Sequence, residues 1–190
     1  MTGHGDRRDA GFTLTEMIVG SALFAMVVLV AGSILVGMFS AQRQVGAITS
    51  TTTDAQLAGT VIDTGIRNSS GFKLTPVSDD QFLVARVAGT GASLQWECRA
   101  WYYSAATSTI RASSAVPGAP MATPTAAQLT SWSLLADGVR PRPGATAVFT
   151  AAGSTVTVSF DATTTDADRP VAIEFVSSPL AGVTENATCY

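Results

Sequence analysis

The sequence Gly11-Phe12-Thr13-Leu14-Thr15-Glu16, followed by the apolar run Met17–Phe39, decides how this chain is organised. No charged side chain occurs from Met17 to Gln42. At about 1.5 Å per helical residue, the apolar run spans roughly 30 Å of hydrocarbon. Inside lipid, a single unpaired segment satisfies all of its backbone polar groups only as a helix. The run therefore predicts a transmembrane helix.

The residues on either side of the run indicate its orientation and its type. Arg7 and Arg8 precede it, so the positive-inside rule predicts a cytoplasmic N-terminus. A secretory signal peptide fits poorly, because its apolar core usually has about 7 to 15 residues and ends at an A-x-A site. A plain signal anchor explains the length and the orientation but not Glu16, because a carboxylate at membrane depth is costly unless it is paired.

In this order, the glycine, the aromatic residue, the glutamate and the apolar run resemble the class III signal of type IV pilins and pseudopilins. The resemblance implies that a membrane protease, the prepilin peptidase, cuts between Gly11 and Phe12 and then N-methylates Phe12. Glu16 would become the fifth residue of the mature chain, where the family keeps its glutamate.

The resemblance also implies that Phe12 and Glu16 act together in subunit assembly. The new N-terminal amine is a cation near neutral pH, and Glu16 lies one helical turn along. Either charge is expensive alone inside a bilayer, so each favours a partner. Pairing with a neighbouring subunit and pairing within one chain both fit the sequence.

Beyond the membrane the helix is predicted to continue to about residue 70. Apolar residues near helical spacing form a stripe that we expect to dock on the globular domain: Val45, Ile48, Ala55, Leu57, Ala58, Ile62 and Ile66. The run Thr51–Thr53 argues against an unbroken helix, and Gly32-Ser33 is the nearest substitute for the proline that kinks many pilin helices. Asn68-Ser69-Ser70-Gly71 predicts the stop.

From Phe72 onward, short alternating segments separated by turn residues predict an antiparallel β-sheet, and hence an α+β fold. The predicted strands are Gln81–Val87, Ser93–Tyr103, Thr107–Ser113, Ala145–Thr150, Ser154–Asp161 and Pro170–Ser177. Ser114–Thr125 is predicted to be a loop, and Ala126–Leu135 a short helix or a further strand. We expect a leader over residues 1–11, a membrane and filament-core helix over 12–41, its amphipathic continuation over 42–70 and a globular domain over 71–190.

The strand around Trp101 is the aromatic centre of this domain. A central strand is the simpler interpretation, and a ligand platform formed by exposed Trp101 and Tyr103 is the alternative. The Trp-x-Cys-x-x-Trp-Tyr-Tyr pattern, with Leu134–Val139 and two more strands, is similar to the W- and J-type minor pilins. Cys98 and Cys189 both fall on the extracytoplasmic side of the predicted helix, where pairing is the expected state.

Composition argues against most binding and catalytic chemistry. Only 13% of residues are charged, the net charge is −3 and Lys73 is the single lysine, which disfavours nucleic acid. The only histidine, His4, lies in the predicted leader, so a mature chain cannot build a Ser-His-Asp triad. Two cysteines cannot form a four-ligand zinc site, and Asp161, Asp166 and Asp168 fit a solvated turn better than a calcium loop. We expect no enzyme, no cofactor and no metal.

The sequence and the resemblance together predict a minor type IV pilin that takes part in pilus assembly, priming or tip formation. The alternatives are a minor pseudopilin of type II secretion, and a tip adhesin or DNA-uptake pilin that binds a ligand through exposed aromatics. The implied partners are other pilin subunits, the prepilin peptidase, the inner-membrane assembly platform and, before assembly, membrane lipid. The implied location is a single-pass cytoplasmic membrane segment with the N-terminus inside, and then a cell-surface filament.

Overall fold

The computed structural model describes residues 13–89, 95–163, 170–180 and 189. One long helix, α1 (Leu14–Arg67), opens the described chain. The chain divides into two compact units, Met1–Arg43 and Gln44–Tyr190, so that the first thirty residues of α1 belong to one unit and the remainder to the other. The helix stops one residue before the predicted stop signal that begins at Asn68.

The threonine run does not interrupt α1. The hydroxyl groups of Thr51, Thr52 and Thr53 each donate a hydrogen bond to the carbonyl oxygen four residues earlier, over 2.8, 2.7 and 2.9 Å. These hydroxyls are therefore satisfied within the helix, and they do not compete with its backbone hydrogen bonds. The helix also runs unbroken through Gly32-Ser33, the predicted weak point.

In the second unit, one face of α1 packs on a β-structure. Its buried residues recur at helical spacing: Thr51, Ala55, Ala58, Gly59, Ile62, Gly65 and Ile66. Part of the predicted stripe is wrong, because Val45 and Leu57 are more than half exposed and Ile48 also lies at the surface. The buried face is rich in small residues because large strand side chains rest on it: a Cβ atom added at Gly59 would lie 3.4 Å from Ile173 and Phe175, and one added at Gly65 would meet the Trp101 ring.

The β-structure forms two antiparallel sheets. The strands are β1 (Ser69–Val77), β2 (Asp80–Ala88), β3 (Trp96–Ser104), β4 (Thr109–Ala115), β5 (Ser133–Ala136), β6 (Val139–Pro141), β7 (Phe149–Ala152), β8 (Thr155–Ala162) and β9 (Val171–Ser177). The first sheet has the order β1-β2-β3-β4-β5. In the second, β8 pairs with β6, β7 and β9. The predicted α+β class, with a long helix followed by antiparallel strands, is confirmed.

A short helix, α2 (Ala126–Leu129), precedes β5, so the segment predicted as helix or strand contains both. Thr125 caps α2 in a capping box with Gln128: the Gln128 amide nitrogen donates to the Thr125 hydroxyl, and the Thr125 amide nitrogen donates to Gln128 Oε1 over 2.8 Å. The hairpin expected around Gly153 is present, with Ala152 opposite Thr155 and Gly153 at a φ of 57°.

Gln81 connects the two sheets. From β2, its Nε2 donates to the carbonyl oxygen of Phe149 over 2.7 Å, and its Oε1 accepts hydrogen bonds from the amide nitrogens of Val148 and Phe149 over 2.8 and 2.9 Å. The Gln81 side chain thus satisfies backbone groups of Val148 and Phe149 that a neighbouring strand would otherwise pair with. The predicted strand over Ala145–Thr150 consequently begins only at Phe149.

The core lies between α1 and the inner faces of both sheets. It contains Ile62 and Ile66 from the helix, Leu83 and Trp101 from the first sheet and Phe160 from the second, all with no exposed surface. A smaller second cluster covers the opposite face of the first sheet and includes Phe82, Tyr102 and the two cysteines. Both faces of β3 are therefore buried.

Candidate assembly site at the start of helix α1

Glu16 lies in the first turn of α1, and Thr13 caps that turn. The Glu16 amide nitrogen donates to the Thr13 hydroxyl over 3.3 Å, and the same hydroxyl lies 3.4 Å from Glu16 Oε2. The Thr13 carbonyl oxygen accepts from the amide nitrogens of Glu16 and Met17 over 3.1 and 3.2 Å. Thr13 is thus the residue that places Glu16, and the Thr-x-x-Glu spacing is the sequence signal that identifies it.

The position of Glu16 suits a negative charge that faces outward. The exposed N–H groups of the first turn carry the positive end of the helix dipole, which stabilises an anion there. The Glu16 side chain is exposed, so its carboxylate is accessible to a cation from outside the helix. Gly11 and Phe12, the predicted cleavage and methylation residues, lie outside the described residues, so the distance between Glu16 and the Phe12 amine stays a prediction.

The apolar surface that comes after Glu16 surrounds the helix. Large side chains on every side are exposed, among them Met17 at 67%, Phe24 at 71% and Leu29 at 75%. The most apolar 18-residue stretch of α1 has a mean hydropathy of 2.5 and no buried residue, so by length and composition this helix is able to cross a membrane. A helix that is apolar all round needs lipid or other protein to cover it.

The few polar side chains in this surface are satisfied within the helix. The hydroxyls of Ser21, Ser33 and Ser40 donate to the carbonyl oxygens three residues earlier, over 3.0, 2.8 and 2.8 Å. In lipid, a hydroxyl without a partner would cost free energy. These serines are therefore compatible with a hydrocarbon environment, and Glu16 is the one ionisable side chain on α1 between Leu14 and Gln42.

In the second unit, Cys98 of β3 is bonded to Cys189, with their Cα atoms 5.4 Å apart. Both residues are buried in the cluster on the outer face of the first sheet. The Cys189 carbonyl oxygen also accepts a 3.0 Å hydrogen bond from the Met121 amide nitrogen. The bond is thus part of the packing of this face, and it joins the two cysteines that the sequence predicted to pair.

Trp101 and Tyr103 are not surface aromatics, which corrects the hypothesis that they form a ligand platform. Trp101 is 0% exposed and Tyr103 is 4% exposed. Both side chains point toward α1, because alternation along β3 places them on the inner face with Leu83 and Ile110. A single strand alternates between two faces, but whether the second face is also covered depends on segments distant in the chain.

Within the described part of the chain, no group of three or more His, Cys, Asp and Glu side chains lies close enough to hold a metal ion. Asp161 instead lies 3.5 Å from the Arg142 Nε, and Arg142 also pairs with Glu174. Asp166 and Asp168, the other members of the predicted turn, lie outside the described residues.

The comparison with known protein families assigns residues 6–32 to the prokaryotic N-terminal methylation motif, the class III signal of type IV pilins. The matched segment covers the predicted cleavage site, Glu16 and the first two thirds of the apolar run. No curated protein and no solved structure matches the chain significantly. The chain therefore carries a type IV pilin signal, joined to a long helix and an antiparallel β-structure.

Proposed function

We propose that this chain is a minor type IV pilin, a structural subunit rather than an enzyme, which polymerises through its N-terminal helix. The observation that carries the proposal is the coincidence of three features in one segment. The methylation motif covers residues 6–32, the helix within it exposes apolar side chains on every side, and the one ionisable group on that part of the helix is Glu16 in its first turn.

In the proposed sequence of events, the prepilin peptidase removes residues 1–11 and methylates the amine of Phe12. The helix over 12–41 holds the subunit in the cytoplasmic membrane with its N-terminus inside, and residues 42–190 lie outside. At the assembly platform the subunit then leaves the lipid and joins a filament, where neighbouring subunits cover the apolar surface that lipid had covered before. The same surface thus serves both states, because it offers only non-directional apolar contact.

Glu16 supplies the directional part of this association. Apolar surfaces slide on one another at little cost. A carboxylate and an ammonium group in a low-dielectric environment attract each other strongly, and the attraction is greatest in the one register that brings the two groups into contact. A subunit that enters the filament with its Glu16 beside the Phe12 amine of a neighbour therefore neutralises both charges. The cap from Thr13 fixes the glutamate backbone in the first turn, where the exposed carboxylate is accessible to a cation from a neighbouring chain.

The minor role is supported by the globular unit. The aromatic part of the pattern similar to W- and J-type minor pilins lies on β3, a strand that is buried between α1 and the outer cluster, and its Leu134–Val139 part runs from β5 to the start of β6. A subunit at the tip of a filament, or one that starts it, needs a folded unit that is stable without a neighbour above it, and the two sheets here close their own core.

The test of the proposal is Glu16→Ala in a strain whose only copy of the gene carries the change. The variant keeps the cleavage site, so mass spectrometry should find a mature chain that begins at methylated Phe12 in the membrane fraction. Filaments sheared from the cells should lack the variant subunit, or should fall about tenfold or more in number, because the desolvated amine of Phe12 loses its partner.

Asp54→Ala is the matched control, because Asp54 is an exposed acid farther along the same helix and its loss should leave filaments at the normal level. Normal filaments that contain the Glu16→Ala subunit would exclude the pairing mechanism. A chain that keeps its first eleven residues in the presence of the peptidase would exclude the pilin assignment itself.

A further inference from the structure

Two adjoining hollows in the globular unit meet at Ser131 and Trp132. The first, of about 350 Å³, is lined by Arg99, Ser113, Ser114 and Ser133 in addition to these two residues, with Val61, Ala112 and Leu135 at its apolar side. The second, of about 320 Å³, lies against Pro120, Thr123 and Gln128. We call the two together the Trp132 groove. It is a different region from the helical assembly surface, so a ligand site there is independent of the assembly role.

Trp132 is anchored by its backbone and by one ring contact, while part of its surface remains exposed. Its ring centroid lies 6.4 Å from that of Phe82, and its carbonyl oxygen accepts a 3.1 Å hydrogen bond from Arg111 Nη1. Its amide nitrogen donates to the Leu129 carbonyl oxygen at the end of the capped helix α2. A fixed aromatic surface binds a ligand without losing conformational entropy on binding, which favours affinity.

The polar groups of the groove are hydrogen-bond donors that remain available to a ligand. Among the residues that the structure describes, none accepts a hydrogen bond from the Arg99 guanidinium or from the hydroxyls of Ser114 and Ser133. Arg99 belongs to β3 and lies opposite Ser114 of β4, so both are fixed by the sheet. A rigid cluster of a guanidinium and hydroxyl groups matches a ligand that presents a carboxylate and several hydroxyl oxygens.

The charge of the residues that line the groove indicates whether the ligand is an anion or a cation. Arg99 is the one charged residue that lines either hollow, and neither hollow has an acidic lining residue among those the structure describes, although the whole chain has a net charge of −3. The groove is thus a locally positive site on an acidic protein, which favours an anionic ligand over a cationic one. A single arginine is too little to hold a phosphate backbone, which binds through several cations at once.

We propose that the Trp132 groove binds an acidic oligosaccharide. One sugar ring packs its C–H face on the Trp132 indole, the carboxylate of an adjacent sugar accepts hydrogen bonds from Arg99, and the serine hydroxyls bind sugar hydroxyl groups. The two hollows, of about 350 and 320 Å³, adjoin at Trp132, so a chain of linked sugars that occupies both would cross the indole and reach Arg99. Specificity arises because a neutral sugar would leave the guanidinium without a partner.

The experiment uses the mature full chain in a detergent without a sugar headgroup, titrated calorimetrically with a tetrasaccharide of alternating glucuronate and N-acetylglucosamine. The comparison probes are the neutral N-acetylglucosamine tetramer and the single-stranded oligonucleotide dT8. The acidic tetrasaccharide should bind at least about tenfold more tightly than the neutral one, and its affinity should fall as salt rises. No binding of the acidic probe, or tighter binding of dT8, would overturn the proposal.

Variants separate the two halves of the site. Arg99→Gln should remove the preference for the acidic tetrasaccharide over the neutral one, and Trp132→Ala should weaken both by about tenfold or more. Trp132→Phe keeps an aromatic surface and should retain most of the affinity, which guards against a folding defect in the alanine variant. Trp96→Ala is the matched control, since Trp96 is also partly exposed but stacks on Arg86 outside the groove. An equal loss in Trp96→Ala, or an unchanged preference in Arg99→Gln, would contradict the assignment.

Discussion

Helix α1 has two kinds of apolar surface, one in each compact unit. Between Leu14 and Arg43 it exposes large side chains on all sides, and none of the described residues there is buried. Between Thr51 and Ile66 it buries one narrow face of mostly small residues. The two stretches differ in purpose: a helix that is apolar all round needs an external cover, whereas a single apolar stripe is covered by the protein's own core.

Glycines have different surroundings in the two stretches. A Cβ atom added at Gly20, Gly32 or Gly37 would meet nothing within 4 Å, and the same holds at Gly46, which lies between the two stretches. A Cβ atom added at Gly65 would overlap Cη2 and Cζ2 of Trp101. The glycine at 65 is therefore required by packing, because the buried indole rests directly on the helix backbone there.

The largest effect is expected from loss of the cross-link that only the second unit contains. Removal of the disulfide by the double change Cys98→Ala and Cys189→Ala should lower the free energy of unfolding of that unit by about 4 kcal/mol, since the bond closes a loop across a separation of 91 residues. All three tryptophans lie in this unit, so urea unfolding followed by tryptophan fluorescence reports on it alone.

Wild-type protein treated with dithiothreitol should unfold at the same urea concentration as the double variant, and dithiothreitol should not affect the variant. The helical circular dichroism of residues 14–43 in detergent micelles should persist after the second unit has unfolded. Identical urea midpoints for oxidised and reduced wild-type protein would show that the cross-link contributes nothing to this fold.

A smaller effect on the free energy of unfolding is expected from alanine substitution of two glycines in α1, one against the core and one in open space. Gly65→Ala should destabilise the second unit by about 2 kcal/mol, because the methyl group displaces the Trp101 ring in a filled core. Gly46→Ala should instead be neutral or stabilising by up to about 1 kcal/mol, because alanine favours the helix and open space surrounds it. Thermal unfolding of both variants measures this, and a change of the same sign in both would refute the contrast.

The smallest effect is expected on the outer face of the first sheet, where the ionisation of Tyr102 reports on burial. Burial, together with the hydrogen bond and the charge of Asp80, raises the pKa of Tyr102 to about 12. The Tyr102 hydroxyl donates to Asp80 Oδ2 over 2.7 Å. Because the folded-state pKa is above the unfolded value near 10, this contribution to stability is complete below pH 10 and is lost as the pH rises toward 12.

Absorbance at 295 nm should therefore show Tyr102 ionising well above the ordinary tyrosine range. Asp80→Asn should lower the pKa of Tyr102 but leave it above the ordinary value, since burial is the largest cause of the shift. A titration curve that Asp80→Asn leaves unmoved would exclude the carboxylate as a contributor.

The features that depend on local pattern were predictable from the sequence. The absence of charge from Met17 to Gln42 predicted an apolar helix, and the Asn68-Ser69-Ser70-Gly71 stop predicted its end to within about a turn. Alternating apolar residues predicted β2, β3, β8 and β9, because a strand with a buried face repeats every second residue. The motif around Glu16 was also readable, because it is contiguous and needs no tertiary contact, whereas the assembly role of Glu16 stays a prediction.

Features that depend on contacts between residues distant in the chain could not be predicted from local pattern. The strand β1 was missed because it begins with Ser69-Ser70-Gly71 and contains Pro76, which an edge strand tolerates without an alternating pattern. Gln81 joins two sheets where the sequence predicted one, through hydrogen bonds to residues 67 and 68 positions away. Trp101 is buried and Trp132 is partly exposed for the same reason: exposure is set by which surfaces α1, α2 and the disulfide cover, and none of these contacts is local.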